Sequence, residues 1–428
     1  MSEKLKYNSI QELKGVSLPV IIVAAVGESE AVLNACKNNQ IDVTAFCDSI
    51  KGKSENLFCG IPVIHTPSLP ESFPKAKFII ASQHIQDCIE QLTALGYDDF
   101  YSPLELLESY EVKKNQHLIS ESYMEARLSV CKNSHKMYLA GKEKTYMRSL
   151  DVMITTRCGM KCESCSNLMQ YYKQHKNFDH EKILDSIDII RKNVDFISEF
   201  RLIGGEPLMN KEWAKIANGV SERNPECEIF IYSNGTIAPK DEQLESFYGK
   251  KINFIITDYG KLSRNLTKLH DQLNKHNINY VSTPATYWVD CSSIKHHKRS
   301  PSALKEVFKQ CCVKYLYTLL HGKLYRCPFI ANAANLNAIP DNPANYVDLF
   351  SKTKDTNQEI QRLIKVAKFF PGCDFCVGRP YDATSKVGYD GKGTIEAGIQ
   401  APAILPYKEY TLSLHYNLKK IISHYRIK

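Results

Sequence analysis

This sequence has no apolar run long enough for a bilayer. Its longest, Val20–Val26, suits a buried strand and falls far short of a membrane helix. No internal repeat or low-complexity tract is visible, so a solenoid or fibrous assembly is not expected. Long runs of one charge are absent as well. The net charge is +8 over 428 residues, and the densest basic groups, His296–Arg299 and Lys419-Lys420, are short. Nucleic-acid-binding chains carry a longer basic stripe interleaved with aromatics, so no nucleic-acid partner is expected. The glycine series of a dinucleotide cradle is missing too: Gly27-Glu28-Ser29 stands where GxGxxG would stand. The polar N-terminus is not followed by a signal-like apolar stretch, which gives a cytoplasmic expectation with no integral membrane segment.

What the chain does have is cysteine, 15 in all, and 43% apolar residues, enough for substantial cores. Cys158, Cys162 and Cys165 stand at x3 and x2 spacing. Random placement would produce such a triplet only about 0.02 times in a chain of this composition. Three soft ligands on one loop suit an iron–sulfur cluster, whose iron prefers thiolate. Three ligands on a four-iron cube leave one iron open to a small molecule. A disulfide framework would not coexist with thiolate-held iron, which again fits a reducing compartment. The cysteines outside the metal sets (Cys36, Cys47, Cys59, Cys88, Cys131, Cys227, Cys291 and Cys311) read mostly as ordinary buried thiols.

The cysteine run resembles the cluster loop of the radical S-adenosylmethionine (SAM) superfamily. The apolar stretch Leu150–Thr155 reads as the strand that delivers the loop. A helical stripe follows at Ile183, Ile187, Ile190, Val194 and Ile197, then a strand at Glu199–Ile203 and another at Glu228–Tyr232. Between these strands, Gly204-Gly205-Glu206-Pro207 matches the superfamily's GGE motif. The resemblance implies that Gly204, Gly205 and Glu206 bind the amino group of SAM, and that Ser233 and Asn234 also contact it. Relatives usually carry an aromatic residue just before the third cysteine; here it is Ser164, and Tyr171 or Tyr172 could supply the ring. The implied fold is α/β, a partial (β/α)6 TIM-like barrel with ligands at the strand C-termini.

A second set, Cys312, Cys327, Cys373 and Cys376, follows the pattern C-x9-G-x4-C…C-x2-C. It resembles the auxiliary-cluster module of SPASM and twitch radical SAM enzymes, which implies a second 4Fe–4S cluster. Paired cysteines also serve tetrahedral zinc, the alternative reading. Only the spacing selects Cys312 over Cys311. A cube with four thiolates has no free iron, so its role would be to move electrons.

Residues 18–102 alternate strands and helices in a Rossmann-like βαβ pattern. The stretches Val43–Asp48 and Gly60–Ile64 resemble the N-terminal domain of sugar O- and N-acyltransferases, which helps to hold a nucleotide-linked sugar. Asp48 lies where an acidic residue would meet a ribose. The expected organisation is a Rossmann-like domain (1–110), a helical linker (111–145), the radical SAM core (146–305), a C-terminal auxiliary iron–sulfur module (306–385) and an extension (386–428). Within that extension, Leu412–Tyr425 reads as an amphipathic helix.

The resemblance implies two 4Fe–4S clusters and SAM as cofactors, and a reductant such as flavodoxin or ferredoxin. It implies chemistry by a 5′-deoxyadenosyl radical on a small-molecule substrate, expected to be a sugar or nucleotide-linked sugar. The outcome would be dehydrogenation, if a base takes the hydroxyl proton and the auxiliary cluster takes an electron. It would be epimerisation if Cys291 or Cys311 returned a hydrogen atom. Asp290, His296, His297 and Arg379 are candidate bases or substrate contacts, with surface roles as the alternative. The competing readings are a peptide- or protein-modifying maturase of the SPASM type and a non-enzymatic zinc protein.

Overall fold

The computed structural model describes residues 5–6, 9–54, 56–113, 119–141, 143–381, 384 and 388–405. The helix expected at 412–425 lies outside them.

The N-terminal unit is a parallel sheet whose central strands carry no solvent face. Its strands are β1 (Val20–Val23), β2 (Ala45–Asp48), β3 (Ile61–His65), β4 (Lys77–Ile80) and β5 (Phe100–Tyr101). β1 and β2 are buried at every position, as strands covered on both faces must be. The order across the sheet is β5-β4-β1-β2-β3, with Leu5–Lys6 beyond β5 and an antiparallel Leu57–Phe58 beyond β3. Helices α1 (Gly27–Asn38) and α2 (Ile85–Ala94) supply two of the crossovers. The strand order reverses between β1 and β4, where crevices form in such sheets. Asp48 does not face that crevice freely. Its carboxylate accepts from the backbone of Ala25 and Ile50 and pairs with Lys53 at 2.8 Å, so the ribose role inferred from its spacing is displaced by loop closure.

The stretch expected to be a linker contains α3 (Glu121–Leu139), which packs on both units. Arg127 lies between Glu28 of the first sheet unit, at 2.7 Å, and Glu199 of the second, at 3.5 Å. Met124, Leu128 and Cys131 join the first core, whereas Ala126 and Val130 pack against Phe230 of the second.

The second sheet begins with five parallel strands in sequential order: β6 (Tyr146–Thr155), β7 (Phe196–Gly204), β8 (Glu228–Ser233), β9 (Ile252–Asp258) and β10 (Tyr280–Pro284). Helices α4 (His180–Asn193), α5 (Trp213–Arg223) and α6 (Leu266–Lys275) connect them, with a short turn of helix before β9. α4 starts at Asp179, whose carboxylate accepts the Lys182 N–H at 2.8 Å, an N-cap. Its apolar stripe ends at Ile190. Val194 is the C-cap and Ile197 already belongs to β7, so the periodicity ran past the end of the helix.

A sixth parallel strand does not follow within 146–305, as a (β/α)6 repeat would have it. It is β12 (Leu316–Leu320), which adds to the free side of β6 after the short β11 (Tyr287–Val289) and helix α7 (Pro301–Gln310). β13 (Lys323–Tyr325) and β14 (Tyr346–Asp348) extend that edge antiparallel, with α8 (Pro328–Asn335) between them. Strands from residues 316–348 therefore complete the sheet that β6–β10 begin. The chain returns as β15 (Thr394–Glu396), pairing antiparallel with β11. Among the described residues no helix is long and apolar enough to cross a membrane.

Candidate functional site

β6 and β7 alternate. Leu150, Val152, Phe200 and Leu202 join the apolar core, while Ser149, Asp151, Glu199 and Arg201 take the other face. Asp151 and Arg201 are register partners, with Arg201 Nε 2.7 Å from Asp151 Oδ1. Side chains of period two put all four polar groups on one side of the sheet. Burial lifts the Asp151 carboxyl to about 6 despite the nearby guanidinium groups. Arg201 also lies over the Tyr232 ring at 4.8 Å.

This polar face opens into a cavity of about 380 Å³. Gly204 and Gly205 line one part of it, Cys312 and Arg379 another, with Asp151 and Arg201 among the remaining walls. Asp151 is 1% exposed, and neither carboxylate oxygen has a well-aligned hydrogen bond; Arg379 Nη1 is buried without a partner. Neither Asp151 nor Arg201 was singled out from sequence. The available signal was a charge set in the middle of an apolar strand, Leu150-Asp151-Val152 and Phe200-Arg201-Leu202.

The cysteine loop leaves β6 and is gripped from three sides. Met160 N–H points at Cys158 Sγ at 3.4 Å, Asn234 Nδ2 at the same sulfur at 3.7 Å, and Gln400 Nε2 at Cys162 Sγ at 3.3 Å. The backbone N–H groups of Met169 and Asn167 act on Cys165. Burial nevertheless pushes the thiols up, Cys158 to about 12 and Cys165 to about 11. Desolvated sulfurs ringed by N–H donors fit thiolates whose charge is balanced by iron. The far chain segment braces the loop: Glu163 N–H donates to Ile399 O and Ala401 N–H to Lys161 O, both at 2.7 Å. Nothing in the sequence marked residues 394–401 for this task.

The two glycines serve packing as well. A Cβ on Gly204 would lie 2.3 Å from Thr155 O, and one on Gly205 would lie 2.1 Å from Arg157 O and 2.7 Å from Cys158 Cβ. The close approach that requires glycine is therefore to the cluster loop itself. Glu206 is fully buried and lifted to about 7 by that burial. Its carboxylate accepts from Leu208 N–H at 3.2 Å, Ser233 Oγ at 3.2 Å and Asn234 N–H at 2.7 Å. Glu206, Ser233 and Asn234 thus tie the ends of β7 and β8 together beneath the loop.

Other expected residues are engaged elsewhere. Ser164, in left-handed backbone, donates to Asp290, whose second oxygen accepts the Lys392 N–H at 3.0 Å. His296 pairs with Asp374 at 3.0 Å and stacks on Phe375; His297 pairs with Asp390 at 3.1 Å. These three are structural in the present geometry. Tyr172 bonds Asn332 and Asn335, and Tyr171 donates to Ser292 O at 3.4 Å. The ring that lies within the electrostatic reach of Cys158, Cys162 and Cys165 is Tyr259, just past β9 and edge-on to Trp288.

The downstream cysteines converge from separate turns. Cys327 caps α8, its sulfur accepting Ile330 N–H at 3.4 Å, and Cys376 Sγ accepts Gly378 N–H at 3.4 Å. Cys373 feels Cys327 and Cys376, and Cys311 feels Cys312, Cys327 and Cys376. Cys312 instead lines the cavity beside Arg379. Cys291 and Cys311, expected as hydrogen donors, do not line that cavity. Cys291 lies between the two sets, within reach of Cys165, Cys312 and Cys376. Among the described residues no three His, Cys, Asp or Glu side chains are close enough to grip a single ion.

Residues 152–258 match the Radical SAM superfamily. The span begins in β6, takes in the cysteine loop and the Gly204-Gly205-Glu206 turn, and ends with β9. It is a radical SAM domain, of an enzyme superfamily that uses a 4Fe–4S cluster and SAM. A GTP 3′,8-cyclase of Clostridium acetobutylicum is 32% identical over 101 residues, which is 23% of this chain and 30% of that protein. The match thus spans less than a third of the relative's length. Among solved structures, BtrN in complex with AdoMet and 2-DOIA aligns at 16% identity over 52% of this chain and 83% of its own, with a TM-score of 0.35. SuiB of Streptococcus suis bound to S-adenosylmethionine aligns at 14% over 38% and 46%, with a TM-score of 0.24.

Proposed function

We infer that the protein is a radical SAM enzyme acting on a sugar or nucleotide-linked sugar, by dehydrogenation or epimerisation. The observation that carries this reading is the 380 Å³ cavity with Gly204-Gly205 and Cys312 among its walls and an underused carboxylate between them. That volume lies at the small end of ligand sites, a size for one polar ring rather than a peptide.

Cys158, Cys162 and Cys165 would hold the SAM cluster, with the Gly204–Glu206 turn, Ser233 and Asn234 framing SAM. Cys327, Cys373 and Cys376 would hold a second cluster, and the neighbours of Cys311 favour it over Cys312 as the fourth ligand. When bound, these groups supply a 5′-deoxyadenosyl radical that takes one hydrogen atom, and a nearby one-electron acceptor. The chain's own contribution is proton handling and exclusion of water. Asp151 is the carboxylate that would accept a hydroxyl proton from the ring, and Arg201 holds it in place. Loss of the carbinol C–H hydrogen atom, the hydroxyl proton and one electron to the acceptor turns the secondary alcohol into a ketone. Cys312 is the thiol that could return a hydrogen atom if the outcome is epimerisation. The strand order of the N-terminal sheet supports a Rossmann-like reading for that unit, and a flavodoxin or ferredoxin is the reductant class that suits the clusters.

The test is to incubate reduced enzyme with SAM and ring-deuterated nucleotide sugars, free sugars and peptides. Sugar-dependent 5′-deoxyadenosine carrying deuterium supports the reading. Stimulation by a peptide alone overturns it in favour of a maturase.

A further inference from the structure

The cavity at the cluster loop does not end at its own walls. A second cavity, of about 390 Å³, lies beside it, and His84 and Arg148 line both. The outer one is lined by Tyr138, Tyr146, Tyr315 and Tyr317, by Gln83, and by Lys144 and Lys365. It is built jointly by the N-terminal unit, α3, β6 and the downstream module. The chemistry therefore changes in order along the path. Tyrosines with Lys144 and Lys365 line the outer cavity, His84 and Arg148 are shared at the neck, and the inner, polar cavity holds Asp151.

Among the described residues Arg148 forms no ion pair, while its neighbour in the neck, His84, lies 3.6 Å from Asp87. Arg148 Nε is buried without a hydrogen-bond partner, and Arg379 Nη1 is in the same condition farther in. The nearest acid on the N-terminal side, Asp87, is already held by Lys314 at 2.5 Å and by Tyr381 at 2.7 Å. Asp151 feels Arg148 but lies closest to Arg201, at 2.7 Å, so Arg148 has no carboxylate in direct contact among the described residues. The ten-residue helix α2 starts at the same neck: Ile85 and Gln86 line the outer cavity, and its N-cap, His84, makes no side-chain cap bond. Buried N–H groups with no acceptor are costly, and a guanidinium beside a helix N-terminus is satisfied best by a phosphate oxyanion. Tyrosine rings stack on planar bases; Arg326 already lies over Tyr315 and Tyr317, at 5.4 and 4.7 Å, so a base would meet their remaining faces or edges.

We propose that these two cavities form one site for a nucleoside diphosphate sugar, its base among the tyrosines, its diphosphate at Arg148 and its sugar beside Asp151. The sugar end rests on the function proposed above. The base and diphosphate ends stand on the neck and the outer cavity alone.

The experiment is calorimetric titration of the anaerobically purified, cluster-loaded chain, without SAM, using UDP, ADP, GDP, CDP, pyrophosphate and uridine. At least one nucleoside diphosphate should bind, and more tightly than pyrophosphate or uridine. Arg148→Gln should weaken nucleoside diphosphate and pyrophosphate alike by about tenfold or more, and Arg148→Lys by less. Tyr315→Ala should weaken the nucleoside diphosphate and leave pyrophosphate unchanged. Iron content and circular dichroism identify a variant that has not folded; the Tyr315→Ala comparison then carries the test. No binding by any nucleoside diphosphate overturns the proposal, as does wild-type affinity in both Arg148→Gln and Tyr315→Ala. Tight nucleotide binding with radical chemistry only on peptides would leave this site standing and remove the proposed function. Turnover of an unphosphorylated sugar without nucleotide binding would do the reverse.

Discussion

Gln400 Nε2 donates to Cys162 Sγ at 3.3 Å across 238 positions of chain. The contact exists because residues 399–401 run antiparallel to the cysteine loop, with Cys162 and Gln400 as bridge partners. An N–H···S bond favours the more negative, reduced cluster. Gln400→Leu should therefore lower the reduction potential of the cluster on Cys158, Cys162 and Cys165. A redox titration followed by EPR checks this, and an unchanged potential would count against a cluster at Cys162.

Gly205→Ala should prevent cluster loading. The new Cβ would lie 2.1 Å from Arg157 O and 2.7 Å from Cys158 Cβ, and the backbone oxygen cannot swing away like a flexible side chain. Overpacking of this kind costs about 1–3 kcal/mol, and here the strain falls directly on the ligand loop. Iron per chain and melting temperature after anaerobic reconstitution report it: iron falls by about half, with the second cluster retained.

Cys312 lines the cavity, whereas the adjacent Cys311 neighbours Cys327 and Cys376. Wild-type chain should hold about eight irons, and replacing Cys158, Cys162 and Cys165 together should halve that and abolish 5′-deoxyadenosine. Cys311→Ser should lose about four irons, whereas Cys312→Ser should keep about eight. The opposite result would restore Cys312 as the ligand, and zinc in place of the lost iron would reassign the downstream set.

Asp151→Asn should uncouple the reaction. Removal of a general base lowers turnover by about 10²-fold or more, but the hydrogen-atom step does not use it. Product should fall while 5′-deoxyadenosine still forms. Only the ionised carboxylate accepts a proton, and burial raises Asp151 to about 6. Wild-type product formation should therefore decline as pH drops below about 6 and level off above it. A pH profile of product per 5′-deoxyadenosine measures this, and a flat profile would remove Asp151 from the chemistry.

Glu206→Gln should destabilise the fold. One carboxylate accepts three N–H or O–H donors, and an amide replaces an acceptor oxygen by a donor. Leaving one buried donor unpaired costs about 1–3 kcal/mol. Chemical denaturation measures the loss, and wild-type stability in the variant would show that these bonds are dispensable.

The sequence by itself determined what short-range pattern can encode. The spacing of Cys158, Cys162 and Cys165, the Gly204-Gly205-Glu206 turn and the apolar strands on either side are local, because a strand, a loop and a turn are each specified by consecutive residues. Only the tertiary structure decided which distant groups meet them. It brought Gln400 to Cys162, set Asp151 against Arg201 by strand register, and joined β12 to β6 so that Cys312 faces the cavity. It also engaged Asp48, Asp290, His296 and His297 in structural pairs, where their residue types alone allowed catalysis. Register and sheet order arise from packing many segments at once, and no single stretch of chain records them.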